Sequence, residues 1–411
     1  MTDRTGKVVI VGSGPAGEAT AVALRKHGFE GDVTLFGSDH RRPYERPYLS
    51  KQFLRGEVGE EKVYLRPEDE YARQGIDLRL GVTVVDGDRE RREVVLDTGE
   101  VFGWDTLVLA TGSTPRWLPG APNVSNTFAL RTLDDAESLR AAVESANRIL
   151  LVGAGFIGAE IAASARLMGK DVLMVEVAEV PLERAIGHDM GRWYSNLHSS
   201  RGVDLRLTTS VARWVTDDLR VVAVELSDGK REEVDAVVVA VGVSPNVDLA
   251  KTLGLDVGPN GVAVGEDLRA APNIFAVGDI AAHHHPVYQR GIRVEHWQVA
   301  QRQGTAAGRA IAGEPEPYHE LPWFWSDQYD VNLQYVGHAK DFDQTIMRGD
   351  TDGDKFSAFY LRDGTIDAVL SVNDGRTGRF SRELISSRTK VPEAVLADPD
   401  SDLRELAKSK T

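Results

Sequence analysis

The chain has 411 residues, a formal net charge of −15, 42% hydrophobic and 27% charged residues, and no cysteine. The length points to two or three domains, and the acidic balance argues against non-specific nucleic-acid binding, which needs a cationic footprint. Without cysteine there is no disulfide relay, thiolate nucleophile or cysteine-ligated metal site, so redox chemistry would require a bound organic cofactor. No apolar run approaches the ~20 residues that span a bilayer, and Met1–Arg4 leads into a strand without a signal-peptide core, so a cytoplasmic protein is expected.

The stretch Lys7–Gly17 reads as a buried parallel strand running into a G-x-G-x-x-G turn, with an Ala-rich helix from Glu18 to His27 stopped by Gly28. In that context the motif predicts dinucleotide binding. Gly12 permits the tight turn, Gly14 lets a pyrophosphate approach the backbone, and Gly17 lets helix and strand pack. The helix N-terminus then offers free N–H groups to phosphate. Asp32–Gly37 reads as the second strand, and Asp39 beyond it stands where a carboxylate would meet a ribose. The basic, proline-stiffened Arg41–Lys51 segment is expected as a loop that clamps a cofactor and delivers Lys51. Short strands are predicted at Ile76–Leu80, Thr83–Val85 and Glu93–Leu96, with a turn at Asp97–Glu100. Trp104–Gly112 returns as a buried strand whose Ala-Thr-Gly end lets backbone lie against a ligand, and Ser113–Arg116 reads as a linker.

The second half repeats this order. Arg148–Gly158 is again a strand into G-x-G-x-x-G, followed by a helix at Ala159–Met168 capped by Gly169. Asp171–Glu176 is a strand ending in an acid, at the spacing from Gly153 expected of a ribose-binding carboxylate. Strands at Asp204–Leu207 and Val221–Leu226 follow, and Ala236–Gly242 closes the block. Two such units imply two nucleotides, as hydride transfer requires. A further strand, Ile274–Ala281, carries Asp279 at its ligand edge, where it could accept from ribityl hydroxyls. His283-His284-His285-Pro286 reads as a loop rather than a metal site, because three consecutive histidines cannot face one ion. A helix is expected at Val299–Ala312, and Glu314–Pro317 marks a boundary. Beyond it, strands at Asn332–Val336, Thr345–Met347, Lys355–Leu361 and Ile366–Val372 and a helix near Phe380–Ser387 describe a small α+β domain.

The segments PYERPYLSK (Pro43–Lys51), LVLATGSTPR (Leu107–Arg116), LRTLDDAESL (Leu130–Leu139), VGAGFIGAE (Val152–Glu160), FAVGDIA (Phe275–Ala281) and PWFWSDQYD (Pro322–Asp330) carry a resemblance across essentially the whole chain. It resembles the FAD-dependent NAD(P)H:ferredoxin reductases of bacterial oxygenase systems, which share a fold with rubredoxin reductases and apoptosis-inducing factor. The resemblance implies an α/β fold of the glutathione-reductase-like kind. An FAD domain would comprise 1–114 and 245–319, a NAD domain 115–244, and a small α+β C-terminal domain 320–411.

It also implies roles. Lys51 and Glu160 would be the catalytic pair near flavin N5, where a cation can stabilise negative charge on the reduced flavin. Gly12, Gly14, Pro15, Ala16 and Gly17 would hold the FAD pyrophosphate, with Asp39, Arg46, Thr111, Gly112 and Arg131 around the cofactor. Gly278, Asp279, Glu295, His296, Trp297 and Trp325 would complete that site. Gly153, Gly155, Phe156, Ile157 and Gly158 would hold NAD, with Glu160, Val241 and Gly242 beside it and Glu176 on the adenosine ribose. A carboxylate there repels a 2′-phosphate and favours NADH over NADPH.

The implied partner is a small [2Fe–2S] ferredoxin feeding a cytochrome P450 or other oxygenase, with no nucleic acid, membrane or metal, in a monomer or homodimer. Arg290, Arg293, Arg302 and Arg309 are its candidate docking cations, against the alternative of a solvated helix surface. Trp297, Trp323 and Trp325 are candidates for the flavin rim and electron exit, or else core packing. Tyr48 stands where the family usually has a second proline, which leaves the clamp's detail open. Two rivals remain: a cysteine-free NADH oxidase or quinone- or rubredoxin-reducing flavoenzyme, and a redox-gated binding protein like apoptosis-inducing factor.

Overall fold

The computed structural model describes residues 5–408, so the Met1–Arg4 lead read above lies outside the described residues. The chain forms two compact units. The first contains residues 5–45, 63–114 and 245–324. Its six-stranded sheet runs in the order Arg269–Ala271, Ile274–Ala276, Thr106–Leu109, Lys7–Val11, Asp32–Gly37, Ile76–Leu80. Every pair is parallel except the first. Val8, Val9 and Ile10 are buried between Val33–Leu35 on one side and Thr106–Val108 on the other, which is why this strand reads as continuously apolar.

Helix Pro15–Lys26 packs on helix Trp297–Ile311 through small residues. A Cβ on Gly304 would stand 2.1 Å from the Ala16 carbonyl oxygen, and one on Gly308 2.7 Å from Ala23 Cβ. The N-terminal helix therefore touches its neighbour at backbone distance.

The expected His283–His285 loop is corrected. These residues belong to strand Ala281–His285, paired in parallel with Gly261–Val264 and antiparallel with Arg290–Ile292. His283 and His285 point inward and His284 outward, the period of two expected for a strand. Pairing partners on both sides override the weak local signal. Ser113–Arg116, read as a linker, is where the chain passes from the first unit to the second, and Ser113–Pro115 within it forms a short strand.

The second unit contains residues 46–62, 115–244 and 325–408. Its parallel sheet runs Val203–Arg206, Asp171–Val175, Arg148–Val152, Ala236–Val239, Thr127–Phe128. A three-stranded antiparallel insertion follows, in which Val211–Asp217 pairs with Arg220–Leu226. Helix Leu133–Ser145 starts at a capping box between Thr132 and Asp135. Near the C-terminus, strands order as Trp323–Gln328, Val331–Gly337, Thr365–Val372, Lys355–Arg362, Gln344–Asp350. The central Thr365–Val372 strand is buried along its whole length, with helix Gly375–Ser386 against it. Arg348 ties down the tail by donating to the carbonyls of Leu396, Pro399 and Ser401 at 2.7–3.2 Å.

The Gly304 contact is testable by thermal unfolding. Gly304→Ala pushes a methyl group into backbone and should cost about 1–3 kcal/mol, seen as a lowered Tm. Gly291→Ala, where a Cβ meets nothing within 4 Å, should leave Tm unchanged.

Candidate active site

In the first unit, the turn after Lys7–Val11 is built for glycine. Gly12 has φ +111°, and its Cβ would lie 2.1 Å from the Ala110 carbonyl oxygen; a Cβ on Gly17 would lie 1.9 Å from Gly12 O. Gly14 caps the helix in extended conformation without a side-chain bond, and Pro15 occupies N1. Glu18, in the first turn, is buried with its carboxylate on Arg66 Nε at 2.5 Å. Burial pushes that carboxyl above its usual range, against the pull of Arg66.

Several predicted residues gather at this sheet edge. Asn246 pins the Ala-Thr-Gly end, donating to Thr111 O at 3.0 Å while its own carbonyl accepts from Thr111 Oγ1 at 2.6 Å. The backbone N–H of Asn246 donates to Gly112 O at 2.9 Å. Ser113 Oγ donates to Asp279 Oδ2 at 2.6 Å, and buried Gln303 accepts from Gly278 N at 2.8 Å. Arg293 bridges Asp279 O and Glu295. His296, the N-cap of the helix begun by Trp297, stacks on Phe324 with ring centroids 4.1 Å apart. Asp39 is engaged by its own loop, accepting from Arg41 N at 2.9 Å and Tyr44 Oη at 2.8 Å. Of the candidate docking arginines, Arg293 pairs with Glu295 and Arg309 with Glu316, while Arg302 is exposed.

The second unit repeats the turn. Gly153 has φ +104°, with a Cβ position 2.5 Å from Ala240 O, and a Cβ on Gly158 would lie 2.2 Å from Gly153 O. Gly155 and Gly242 instead face open space, with nothing within 4 Å of a Cβ. Ile157 is exposed and Phe156 and Val241 half-buried beside them. Glu176 accepts from Ala154 N at 2.8 Å and from Ala178 N at 3.0 Å, so it fastens the glycine turn to the end of the next strand.

The helix begun by that turn, Phe156–Leu167, also holds the predicted clamp. Glu160 and Ser164 are one helical turn apart and share a face. Ser164 Oγ donates to Ser50 O at 2.7 Å and accepts from Arg55 at 3.2 Å. Arg46–Tyr48 forms a single 3-10 turn, and Arg46 Nε donates to Arg131 O at 3.2 Å. Buried Lys51 donates from Nζ to Glu160 Oε2 at 2.8 Å, and Ser50 Oγ donates to the same oxygen. Ser326 Oγ donates to Glu160 Oε1 at 2.7 Å. Thus Lys51 and Glu160, the predicted pair, stand together as a buried ion pair with two hydroxyl donors. Trp325 lies on the half-buried face of its strand, alternating with buried Ser326 and Gln328. Sequence reasoning, drawn to the aromatic residues, passed over that polar face; the period-two alternation was its available signal.

Comparison with known proteins places this geometry. Residues 6–304 match the pyridine nucleotide-disulphide oxidoreductase family model, and residues 323–407 match a reductase C-terminal model. The chain belongs to the pyridine nucleotide-disulphide oxidoreductase family. It is 38% identical to putidaredoxin reductase CamA of Pseudomonas putida, over 97% of this chain and 96% of that protein. It is 39% identical to the anthranilate 1,2-dioxygenase system ferredoxin--NAD(+) reductase component of Burkholderia cepacia, over 96% and 98% of the two chains. The solved covalent putidaredoxin reductase–putidaredoxin complex superposes with a TM-score of 0.95 at 37% identity, covering 98% of both chains. This is an oxidoreductase chain of the ferredoxin reductase kind, with no cysteine for disulphide chemistry. Among the described residues, no helix is long and apolar enough to cross a membrane and no acid–histidine cluster could hold a metal.

Two outcomes follow. Lys51→Met strands a buried carboxylate and should lower stability by about 3–5 kcal/mol in urea unfolding, most of it recovered in the Lys51→Met/Glu160→Gln double variant. Burial pushes the His198 imidazole down to about 4, against about 6.5 in the unfolded chain. The unfolded state therefore binds the extra proton between those values, so stability rises from pH 4 to 6.5 by about 3 kcal/mol and is complete above. His198→Gln should flatten that limb.

Proposed function

We propose that this protein is a cytoplasmic ferredoxin--NAD(+) reductase, taking hydride from NADH onto FAD and passing electrons singly to a small iron–sulfur ferredoxin. The observation that carries this reading is the buried Lys51–Glu160 pair, set on the helix that begins at the second glycine turn of a cysteine-free chain.

The residues present fit both groups. Gly12 and Gly17 make a turn that no side chain can fill, and the uncapped helix N-terminus behind Gly14 suits the FAD pyrophosphate. Asp279, positioned by Ser113 just beyond the end of strand Ile274–Ala276, is a carboxylate acceptor suited to the ribityl hydroxyls. Gly155 and Gly242 leave open space for the NADH pyrophosphate. Each Glu176 oxygen accepts one backbone N–H and retains a second lone pair for the adenosine ribose, while its charge disfavours a 2′-phosphate. When bound, FAD supplies the chemistry, accepting a two-electron hydride and releasing electrons one at a time.

The chain's own contribution is positional and electrostatic. Glu160, gripped by Ser50 and Ser326, fixes where the Lys51 ammonium sits. An ammonium held in a dry setting stabilises negative charge developing beside it far better than one in water, with no reorganisation at the moment of reaction. Ser164 and Glu160 together hold the clamp segment to a rigid helix, so this cation is preorganised.

Anaerobic stopped-flow mixing should show NADH bleaching bound FAD, with cytochrome c reduction requiring an added [2Fe–2S] ferredoxin. Lys51→Ala should slow flavin reduction by roughly 10²-fold or more. In air-saturated buffer, peroxide formation from dioxygen matching NADH loss would overturn the reading, and preference for NADPH would overturn the role of Glu176.

A further inference from the structure

Beyond the Lys51–Glu160 pair lies a line of buried polar side chains that the proposed chemistry does not use. Ser326 Oγ, having donated to Glu160, accepts from Gln328 Nε2 at 3.0 Å. Gln328 Oε1 is 2.9 Å from His198 Nε2, and His198 Nδ1 is 3.3 Å from the Tyr329 hydroxyl. Tyr194 is buried as deeply as these residues, its phenol pushed up by burial and by the Glu160 charge. Ser326, Gln328, His198 and Tyr194 are each 2% exposed or less. The line ends at the half-buried Tyr329, whose ring faces the Arg201 guanidinium, itself paired with Asp330.

The direction of every bond follows from what each atom can do. A carboxylate only accepts, so Ser326 spends its one proton on Glu160. Gln328 must then donate to Ser326 through its amide nitrogen, which turns its carbonyl oxygen toward His198. An oxygen cannot donate, so His198 carries its proton on Nε2, leaving Nδ1 to accept from Tyr329. All four bonds point the same way, toward the carboxylate. A one-way chain polarises along its length, and each donor strengthens the next.

We infer that Ser326, Gln328 and His198 are positioning residues for the Lys51–Glu160 pair, a one-way buried hydrogen-bond chain that fixes the Glu160 carboxylate and through it the Lys51 ammonium. The inference rests on the reductase reading above for its catalytic consequence, but the chain's polarity can be read independently of activity. It also gives the C-terminal sheet a part in the reaction, since strand Trp323–Gln328 supplies two of the three side chains.

The test combines nitrogen-15 NMR of the histidines in the full-length protein with flavin reduction kinetics. In the wild type at pH 7, the resonances lost in His198→Gln should report a neutral imidazole protonated at Nε2. Glu160→Gln places an amide donor at the head of the chain, so the bonds can reverse and the His198 tautomer should move toward Nδ1–H. A histidine that merely filled space would not respond to a change three side chains away. Ser326→Ala should slow FAD reduction by NADH roughly five- to tenfold, the effect of losing one hydrogen bond to a charged group, with the Kd for NADH within twofold of wild type. Ser326→Thr, which keeps the hydroxyl, should restore the rate; Gln328→Leu is the second variant should Ser326→Ala fail to fold.

An Nδ1–H tautomer in the wild type, an unmoved tautomer in Glu160→Gln, or an undiminished reduction rate in Ser326→Ala or Gln328→Leu overturns the inference. A wild-type reduction rate in Glu160→Gln would instead overturn the part given to the Lys51–Glu160 pair in the functional reading, while the NMR result still decides the polarity of the chain.

Discussion

A carboxylate buried away from water must be paired, and Glu160 is the point at which this protein meets that demand. An unpaired buried charge costs several kcal/mol, so its surroundings are set by the need for donors. Those donors come from two places in sequence, Lys51 and Ser50 from the clamp and Ser326 from the strand that opens the C-terminal sheet, while Glu160 itself is carried by the helix Phe156–Leu167. Segments with no local reason to meet are thereby fixed to one another. Because the same helix begins at the second glycine turn, the position of Lys51 is tied to the position of that turn through a rigid element, with about 1.5 Å of rise for each intervening residue.

The two glycine turns solve one steric problem twice and then diverge. In both, the first glycine approaches the carbonyl after a neighbouring parallel strand, and the last approaches the carbonyl of the first. Neither contact leaves room for a Cβ, which is why the motif survives as glycine in both copies. Beyond the turns the acids part company. Glu176 fastens its own glycine turn through Ala154 N, whereas Asp39 is absorbed by the loop of Arg41 and Tyr44. In the first unit the corresponding rigidity comes from Asn246, whose side chain and backbone hold the Ala-Thr-Gly end from a strand-distant segment.

What was legible in the sequence follows from the range of the forces involved. Strands such as Lys7–Val11 and Arg148–Val152, buried on both faces, announce themselves as continuous apolar runs, and the glycines report a steric constraint that acts within a few residues. Lys51 and Glu160 are 109 residues apart, and nothing local couples them; family resemblance alone brought them together. The strand at Val211–Asp217, with only half-buried or exposed side chains, carries too little apolar alternation to be read and exists because Arg220–Leu226 pairs with it. His283–His285 was misread for the same reason in reverse, its strand being set by neighbours on both sides rather than by histidine's own preference. The helix at Trp297–Ile311 begins two residues before the expected Val299, within the uncertainty of any helix end.

The polar face of strand Trp323–Gln328 gives the C-terminal domain a physical reason to be present. The reductase C-terminal match begins at residue 323, the first residue of this strand. An apolar strand would have packed there with less cost, since a buried hydroxyl and a buried amide each need satisfied partners. Ser326 and Gln328 are satisfied only because Glu160 stands at one end of them and His198 at the other. Remove the carboxylate and the hydroxyl loses the acceptor for its only proton; remove the strand and the carboxylate loses one of its three donors. The sheet and the ion pair therefore depend on each other. A domain with no G-x-G-x-x-G turn of its own is joined in this way to a residue on the helix that follows the second such turn.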